Sequence, residues 1–221
     1  MPVIGQPISR VDGPLKVSGK ATYAYEYWDA GQPLYGFIVG ATIGSGRIKQ
    51  INATRAEHAA GVRLVMTYEN APKQGTRDMS VPSHYSRAEP TLAGPDIHHY
   101  GEAVAVVVAT TYEQARAASY LVDVTYDSTP GRFDFNALLG DAYAPQTINA
   151  GLPTDSAVGN FDEGFAGADV KIDSTYTTPY EFSQPMEMHT CMAVPNGEEI
   201  TIYVAAQIGR ASCRERVFRV V

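Results

Sequence analysis

Residues 102–109 read EAVAVVVA, and this run decides the fold class more clearly than any other stretch of the chain. Its nearly continuous small apolar side chains are typical of a β-strand that is covered on both faces. Thr111 follows, and Gln114 stands three residues after it, which is the spacing of a capping box at the start of a helix. We expect this helix to continue to about Tyr120, and residues 122–126 (VDVTY) then alternate as a further strand does.

A shorter version of the same arrangement lies upstream. Residues 47–51 (RIKQI) alternate as a strand, and Thr54 with Glu57 repeats the spacing of a capping box. Gly61 predicts the end of this short helix, and residues 62–68 (VRLVMTY) predict the next strand. The order strand, capped helix, strand therefore occurs twice and indicates an α/β or α+β module.

Stretches rich in proline and glycine divide the rest of the chain. Residues 69–95 predict a long loop, and residues 129–155 predict a linker. After this linker, residues 168–177 alternate as a strand, and two strands over residues 186–194 and 199–205 flank a Pro-Asn-Gly turn. This second segment has only about 50 residues, a length that rarely folds alone, so we expect it to be the opening of a larger domain.

The composition excludes several functions. The chain has 221 residues with 24 acidic and 17 basic side chains and a formal net charge of −7, a balance that disfavours binding along a nucleic-acid backbone. Its two cysteines cannot form a dense disulfide framework. No apolar run approaches the roughly 20 residues that span a bilayer, and residues 1–7 lack the pattern of a secretory signal peptide. We therefore expect neither a nucleic-acid partner nor a membrane span.

Glu187, His189 and Cys191 form the most suggestive candidate site. They occupy alternate positions of a predicted strand, so their side chains would point to one face. A carboxylate, an imidazole and a thiolate could hold a metal ion, but one strand supplies no second set of ligands at the usual spacing. Polar contacts where the strand meets another domain are the favoured interpretation. Because His189 is too far along the strand for direct proton transfer from Cys191, we predict a buried, inert cysteine.

The other candidates carry less chemistry. His98 and His99 are adjacent, so on a strand they face opposite sides and cannot chelate one ion together; a structural histidine is favoured over a pH-sensitive contact. Gly44-Ser45-Gly46 lacks the rest of a phosphate-binding loop and predicts a turn. The sequence thus predicts no catalytic, cofactor-binding or metal-binding residue within this chain.

Residues 8–23 (ISRVDGPLKVSGKATY) resemble the motif R-x-D-G-x-x-K-x-x-G-x-A-x-Y, which opens the molybdopterin-binding large subunits of the xanthine dehydrogenase/aldehyde oxidase family. Residues 34–43, 59–62 and 101–109 are similar to later landmarks of the α/β hammerhead domain in that family, and the last of these runs looks like its G-x-P-V-A-x-V-V-A strand. The positions that depart from the family pattern here are Ala60, Glu102 and Ala103.

The second segment continues the resemblance. Residues 159–170 look like the stretch G-D-x-D-x-A-F-x-x-A-D-V, and residues 176–179 look like the motif Y-x-x-P. Residues 186–193 (MEMHTCMA) resemble M-E-P-H-x-x-x-A, with Met188 where proline is usual, and Ala206-Gln207 resembles the T-Q that closes the next strand. The resemblance runs from about Pro7 to Gln207 and is closest to the bacterial aldehyde oxidoreductase type.

The resemblance implies an α+β fold, in which an α/β hammerhead domain is followed by the truncated start of a molybdopterin-binding domain. We expect an extended N-terminal lead over residues 1–18, the hammerhead domain over 19–128, the linker over 129–155 and the start of the molybdopterin-binding domain over 156–207. Residues 208–221 are expected to form a separate tail.

Family membership implies a molybdenum-dependent oxidoreductase that oxidises aldehydes or N-heterocycles with oxygen derived from water. The metal is expected on a molybdopterin, in bacteria often the cytosine dinucleotide form, whose dithiolene holds it, and the electrons pass to Fe–S and FAD subunits. The glycine-rich cofactor loop and the catalytic glutamate of the family are expected beyond Gln207, so this fragment is expected to be inactive. Glu187 belongs to a different motif and is expected to be structural.

The resemblance also leads to expectations about an alternative function and about localisation. A non-catalytic interaction module that docks an Fe–S or flavin partner subunit is the alternative function. The protein is expected to be cytoplasmic, or periplasmic by co-export with a partner subunit, because related complexes can be exported through a signal on a partner.

The last fourteen residues differ in composition from the rest. Residues 208–221 hold four arginines and one glutamate, so without them the formal net charge changes from −7 to −10. Residues 208–217 (IGRASCRERV) resemble the translation of a sequencing-library adapter and not the family's continuation. We therefore predict that the native sequence ends near Gln207; a genuine basic tail that binds an acidic partner is the alternative.

Overall fold

The computed structural model describes residues 4–28, 31–73, 90–148, 152–182, 184–185, 187–197 and 199–204, together with the backbone of residues 217–220. The chain divides into two compact units. The split unit combines the two ends of the chain, Met1–Pro33 and Thr175–Val221, and the central unit comprises Leu34–Ser174.

Short helices and strands alternate along the chain. The helices are α1 (Gly13–Val17), α2 (Thr54–Glu57), α3 (Tyr112–Ser119) and α4 (Phe161–Gly167), with 3₁₀ helices at Ala24–Glu26 and Asn136–Asp141. The strands are β1 (Tyr35–Gly40), β2 (Gly46–Asn52), β3 (Val62–Thr67), β4 (Asp96–Ile97), β5 (Ala103–Ala109), β6 (Asp123–Ser128), β7 (Thr147–Ile148), β8 (Leu152–Pro153), β9 (Cys191–Asn196), β10 (Glu199–Val204) and β11 (Val217–Val220). Within the described ranges, no helix has both the length and the apolar character that crossing a bilayer requires.

The central unit contains two antiparallel sheets. One has the strand order β1-β5-β3 and the other the order β4-β2-β6. Strand β5 is therefore the middle of its sheet, and Val107 lies opposite both Phe37 of β1 and Val65 of β3. The mixture of helices with antiparallel sheets confirms the α+β class.

Strand β5 is covered on both faces, as its sequence predicts. Val107 is buried with Val65 and with Ala56 and Ala118 of α2 and α3. Val104, an odd number of positions away and so on the opposite face, is buried with a second set of residues, Ala41, Ile48 and Ile97. These two clusters explain why almost every residue from 102 to 109 is small and apolar.

The two predicted capping boxes have different outcomes. Thr111 is the N-cap of α3, and its hydroxyl accepts the backbone N–H of Gln114 at 3.2 Å, as predicted. The prediction for Thr54 is wrong, because the N-cap of α2 is Ala53 and carries no side-chain cap. The Asn52 side chain at the end of β2 accepts the Thr54 N–H at 3.1 Å, so the chain turns one residue early.

Helix α2 also ends earlier than predicted. It stops at Glu57, with His58 as the C-cap, and not at Gly61. Gly61 has a φ of +80° and makes the turn into β3, and its carbonyl accepts the Thr110 N–H at 3.0 Å. Glycine is needed at this left-handed backbone position, but the position belongs to the turn before β3 and not to the end of α2.

The prediction of an extended lead over residues 1–18 is wrong for Gly13–Val17, which forms α1. Pro14 lies in the first turn, where its fixed φ suits a helix. Lys16 forms an ion pair with Asp12 one turn earlier at 2.6 Å, and the Ser18 hydroxyl donates back to the Pro14 carbonyl at 2.7 Å. These local contacts favour the helix over the extended chain.

The strand predicted over residues 168–177 is not formed. This segment has no regular secondary structure, and Val170, Ile172 and Tyr176 are exposed. Within the described residues, no neighbouring strand pairs with it, and an alternating pattern without a partner cannot fix the backbone. The predicted linker, by contrast, holds a 3₁₀ helix and the small β7–β8 ribbon.

The split unit is built around a three-stranded antiparallel sheet with the order β11-β10-β9. Strand β10 agrees with its prediction, and Gly197 of the predicted turn separates it from β9. Strand β9 includes Pro195 and Asn196 of that predicted turn, and it begins at Cys191, several residues after the predicted start. Most of the predicted loop (residues 74–89) and of the predicted adapter-derived tail (residues 208–216 and 221) lie outside the described residues. The backbone of residues 217–220 pairs with β10.

Candidate functional site

Glu187, His189 and Cys191 do not share one face of a strand, because β9 begins only at the last of them. Glu187 Oε1 accepts the backbone N–H of Ala24 at 3.0 Å, so it makes a polar contact within the split unit, whereas the sequence favoured polar contacts with another domain. Among the residues that the structure describes, no three His, Cys, Asp or Glu side chains come close enough together to hold a metal ion.

Cys191 is exposed, so the prediction of a buried cysteine is wrong. It is the first residue of β9, and its side chain lies on the face of this strand whose residues are exposed. Partial burial of the thiol nevertheless raises the pKa of Cys191, which keeps it in the neutral form. Because the thiolate is the nucleophile and the metal ligand, this cysteine is poorly suited to either role.

His98 and His99 follow β4 and belong to a turn organised by Glu102. The Glu102 carboxylate accepts the backbone N–H of His98 at 2.6 Å and lies 3.3 Å from His98 Nδ1. Partial burial opposes the ionisation of Glu102, but the hydrogen bonds from His98 and His99 outweigh it and lower the pKa of this carboxyl. His99 Nδ1 lies 3.1 Å from the Tyr100 carbonyl. The two histidines make separate local contacts, His98 with Glu102 and His99 with Tyr100.

Gly44-Ser45-Gly46 makes the turn between β1 and β2, as predicted. Ser45 Oγ lies 2.9 Å from Thr129 Oγ1, and the Ser45 carbonyl accepts the Thr129 N–H at 3.0 Å. Gly46 has a φ of +141°, and a Cβ at this position would lie 2.3 Å from the Asp127 carbonyl oxygen. The glycine is therefore required by the close approach of two backbones, and the turn holds no phosphate-binding arrangement.

The charged residues of the opening motif contact one another. Asp12 Oδ1 lies 3.2 Å from Arg10 Nε, and Asp12 Oδ2 lies 2.6 Å from Lys16 Nζ. The hydrogen bond from Lys16 is the main cause that lowers the pKa of Asp12 to about 2. The spacing of four residues between Asp12 and Lys16 could have revealed this ion pair in the sequence.

Two contacts of the split unit could not have been found by spacing. Ala24 and Glu187 are 163 residues apart in the chain. Tyr27 stacks on Tyr203 of β10 with ring centroids 4.3 Å apart and an angle of 27° between the rings. Each pair joins the first part of the split unit to the second.

Two family models match consecutive parts of this chain. The family model described as "Aldehyde oxidase and xanthine dehydrogenase, a/b hammerhead domain" matches residues 18–130. The model described as "Molybdopterin cofactor-binding domain" matches residues 142–220. The chain therefore belongs to the aldehyde oxidase and xanthine dehydrogenase family, with a hammerhead domain followed by the start of a molybdopterin cofactor-binding domain.

Curated relatives agree with this assignment. The chain is 41% identical over 207 residues to the aldehyde oxidoreductase molybdenum-binding subunit PaoC of Escherichia coli (strain K12), covering 93% of this chain and 27% of the relative. It is 30% identical over 210 residues to the 6-hydroxypseudooxynicotine dehydrogenase complex subunit gamma of Paenarthrobacter nicotinovorans, covering 91% and 26%. The chain thus spans about a quarter of the length of the curated relatives it matches.

Solved structures show the same fold. The reconstituted CO dehydrogenase from Oligotropha carboxidovorans matches with a TM-score of 0.51 and 26% identity, over 75% of this chain and 22% of that one. Quinoline 2-oxidoreductase from Pseudomonas putida 86 matches with a TM-score of 0.50 and 24% identity, over 62% and 18%. The second likeness concerns the fold alone.

Proposed function

We propose that this chain is part of a molybdenum hydroxylase large subunit, which oxidises aldehydes or N-heterocycles with oxygen derived from water. The observation that carries the proposal is the succession of the two family matches along one chain, with 41% identity to a molybdenum-binding subunit across 93% of its length. An aldehyde is the favoured substrate class because that relative is named an aldehyde oxidoreductase subunit.

The proposed cofactor is a molybdenum–molybdopterin, in the cytosine dinucleotide form, whose dithiolene holds the metal. The described residues do not by themselves fit this group. Because the dithiolene holds the metal, the cofactor needs no protein ligand to the molybdenum. The dinucleotide does need a binding cradle, and residues 168–182 are exposed and irregular and form none. No chemical step is therefore assigned to a residue of this chain.

The remaining parts of the proposal concern the whole protein. The glycine-rich cofactor loop and the catalytic glutamate are placed beyond Gln207, so the chain alone is inactive. Electrons pass from the large subunit to Fe–S and FAD partner subunits, and the complex is cytoplasmic or is exported with a partner subunit. The proposal of a multi-subunit complex is supported by the name of one relative, the 6-hydroxypseudooxynicotine dehydrogenase complex subunit gamma.

The test compares the 221-residue chain with the product of the complete gene, co-expressed with its partner subunits. Molybdenum content and the reduction of a dye by aldehydes and by N-heterocycles are measured for both. We expect metal and turnover in the assembled complex and neither in the chain alone. Stoichiometric molybdenum or turnover in the chain alone would overturn the proposal that it is inactive. A complete complex without molybdenum would overturn the proposed molybdenum hydroxylase function. Tight binding of the chain to a purified Fe–S or FAD subunit, with no turnover by the complete complex, would favour the non-catalytic alternative.

A further inference from the structure

Residues 18–33 are placed differently by sequence similarity and by packing. The hammerhead family model begins at residue 18 and includes them. In the structure they belong to the split unit together with Thr175–Val221, most of which the cofactor-binding model covers. These residues therefore pack with the second part of the split unit.

The turn at residues 23–28 is held by two independent contacts. Ala24 is buried, and its N–H donates to Glu187 Oε1 just before β9. Tyr27 stacks on Tyr203 in β10. The 3₁₀ helix Ala24–Glu26 also packs against both strands of the β9–β10 hairpin.

The contact with Glu187 supplies a hydrogen bond that the turn cannot make for itself. The first N–H groups of a helix have no partner inside it, and a buried N–H without a partner is costly. The N–H of Tyr23 is satisfied locally by Glu26 Oε2 at 2.8 Å. The next N–H, that of Ala24, is satisfied by a carboxylate 163 residues further along the chain.

We infer that Glu187 is a positioning residue whose carboxylate fastens the turn at residues 23–28 to the β9–β10 hairpin. The first residues matched by the hammerhead model are then a component of the cofactor-binding unit, and Leu34–Ser174 is inserted in the sequence between the two parts of that unit. This role explains the glutamate of the sequence M-E-M-H without any part in catalysis, and it does not depend on the proposed activity.

The chain carries its own reporter for this contact. Trp28 is the single tryptophan, it is 53% exposed, and it meets Tyr25 edge to face with ring centroids 6.5 Å apart. Its fluorescence and its quenching by acrylamide therefore report on the turn alone. Hydrogen exchange of a peptide covering residues 21–28 reports on the Ala24 N–H directly.

The experiment uses the full 221-residue chain and three variants. Glu187→Ala removes the acceptor, and Glu187→Gln keeps an acceptor oxygen without the charge. Glu181→Ala is the matched control, because Glu181 is exposed and has no hydrogen bond or ion pair with another described residue. We expect exchange at residues 21–28 to become about tenfold faster in Glu187→Ala, which is the factor that a hydrogen bond to a charged acceptor contributes. Acrylamide should quench Trp28 more strongly in the same variant.

The other variants distinguish loss of the hydrogen-bond acceptor from a general loss of structure. Glu187→Gln should restore most of the protection, and Glu181→Ala should behave as the unmodified chain. Exchange at residues 103–109 should stay unchanged in all variants, because these residues lie in the central unit. The inference is overturned if hydrogen exchange at residues 21–28 is equally fast in Glu187→Ala and Glu181→Ala. It is also overturned if exchange there is as fast in Glu187→Gln as in Glu187→Ala.

A second variant covers the case in which Glu187→Ala does not fold. Tyr203→Ala removes the stacking partner of Tyr27 and leaves Glu187 in place. We expect it, too, to accelerate exchange at residues 21–28 while residues 103–109 keep their protection. Because the hydrogen bond to Glu187 remains in this variant, part of the protection at residues 21–28 should remain. Exchange as fast as in an isolated peptide of residues 21–28 would show that Glu187 does not hold the turn and would overturn the inference.

Discussion

Replacing Val107 with alanine tests the packing of β5 directly. Val107 is 0% exposed and is buried among Ala56, Val65 and Ala118. Loss of two methyl-sized groups removes about 1.6 kcal/mol of transfer free energy, at about 0.8 kcal/mol for each group. A cavity of about 50 Å³ adds about 1.2 kcal/mol, at about 24 cal/mol per Å³. With some relaxation of the neighbours, we expect the free energy of unfolding of the central unit to fall by about 2 to 3 kcal/mol.

Urea titration followed by far-UV circular dichroism measures this loss, and hydrogen exchange at residues 103–109 identifies the transition that belongs to the central unit. Val106→Ala is the control, because Val106 is in the same strand but only partly buried, on the face opposite Val107. We expect its cost to stay below about 1 kcal/mol and the urea slope to be unchanged in both variants. Equal losses in the two variants would refute the assignment of Val107 to the core between β5 and the helices.

Three further predictions concern the helices and the end of the chain. Thr111→Ala removes the cap of α3 and should cost about 1 kcal/mol in free energy of unfolding, measured in urea. Removing Lys16, the main cause of the low pKa of Asp12, should raise that pKa from about 2 toward the ordinary 3.8 in an NMR titration. Since the folded-state pKa is the lower one, the stabilisation by the ion pair is complete above about pH 4 and is lost as the pH falls toward 2. Amplification of the locus from source DNA should give a different sequence after about codon 207.

Each of these predictions has its own control or contrary outcome. Thr54→Ala is the control for the helix cap, since Thr54 is not an N-cap, and a cost equal to that of Thr111→Ala would contradict the capping role. An Asp12 pKa that stays near 2 in Lys16→Ala would assign the shift to another cause. Recovery of codons 208–216 contiguous with natural downstream sequence would show that the tail is genuine.

The features that the sequence predicts well are those whose signal is local. Residues 102–109 carry their own pattern for burial on both faces, and the Thr111 cap needs only the N–H of Gln114, three residues away. The turn before β10 lies at Gly197, the last residue of the predicted Pro-Asn-Gly turn, while Pro195 and Asn196 extend β9. In these cases the residues that define the feature also make the contacts that stabilise it.

The failures occur where a contact from elsewhere decides the outcome. Thr54 has the right spacing for a cap, but the Glu57 N–H that its hydroxyl would accept donates to the Ala53 carbonyl instead. Residues 168–177 alternate correctly but have no strand to pair with among the described residues. Cys191 is exposed because it lies on the uncovered face of β9, and which face of a strand is covered depends on how the sheet packs and not on the neighbouring sequence. The partner of Glu187 is equally invisible from its own motif.

The division of the split unit between the two ends of the chain sets an order of events during synthesis. The ribosome adds about 5 to 20 residues per second, so roughly 10 to 30 s separate the emergence of Ala24 from that of Glu187. During this interval Leu34–Ser174 can complete its own core, whereas the turn at residues 23–28 has nothing to bind. A pause in translation before residue 187 would therefore lengthen the time during which residues 23–28 are undocked and accessible to chaperones.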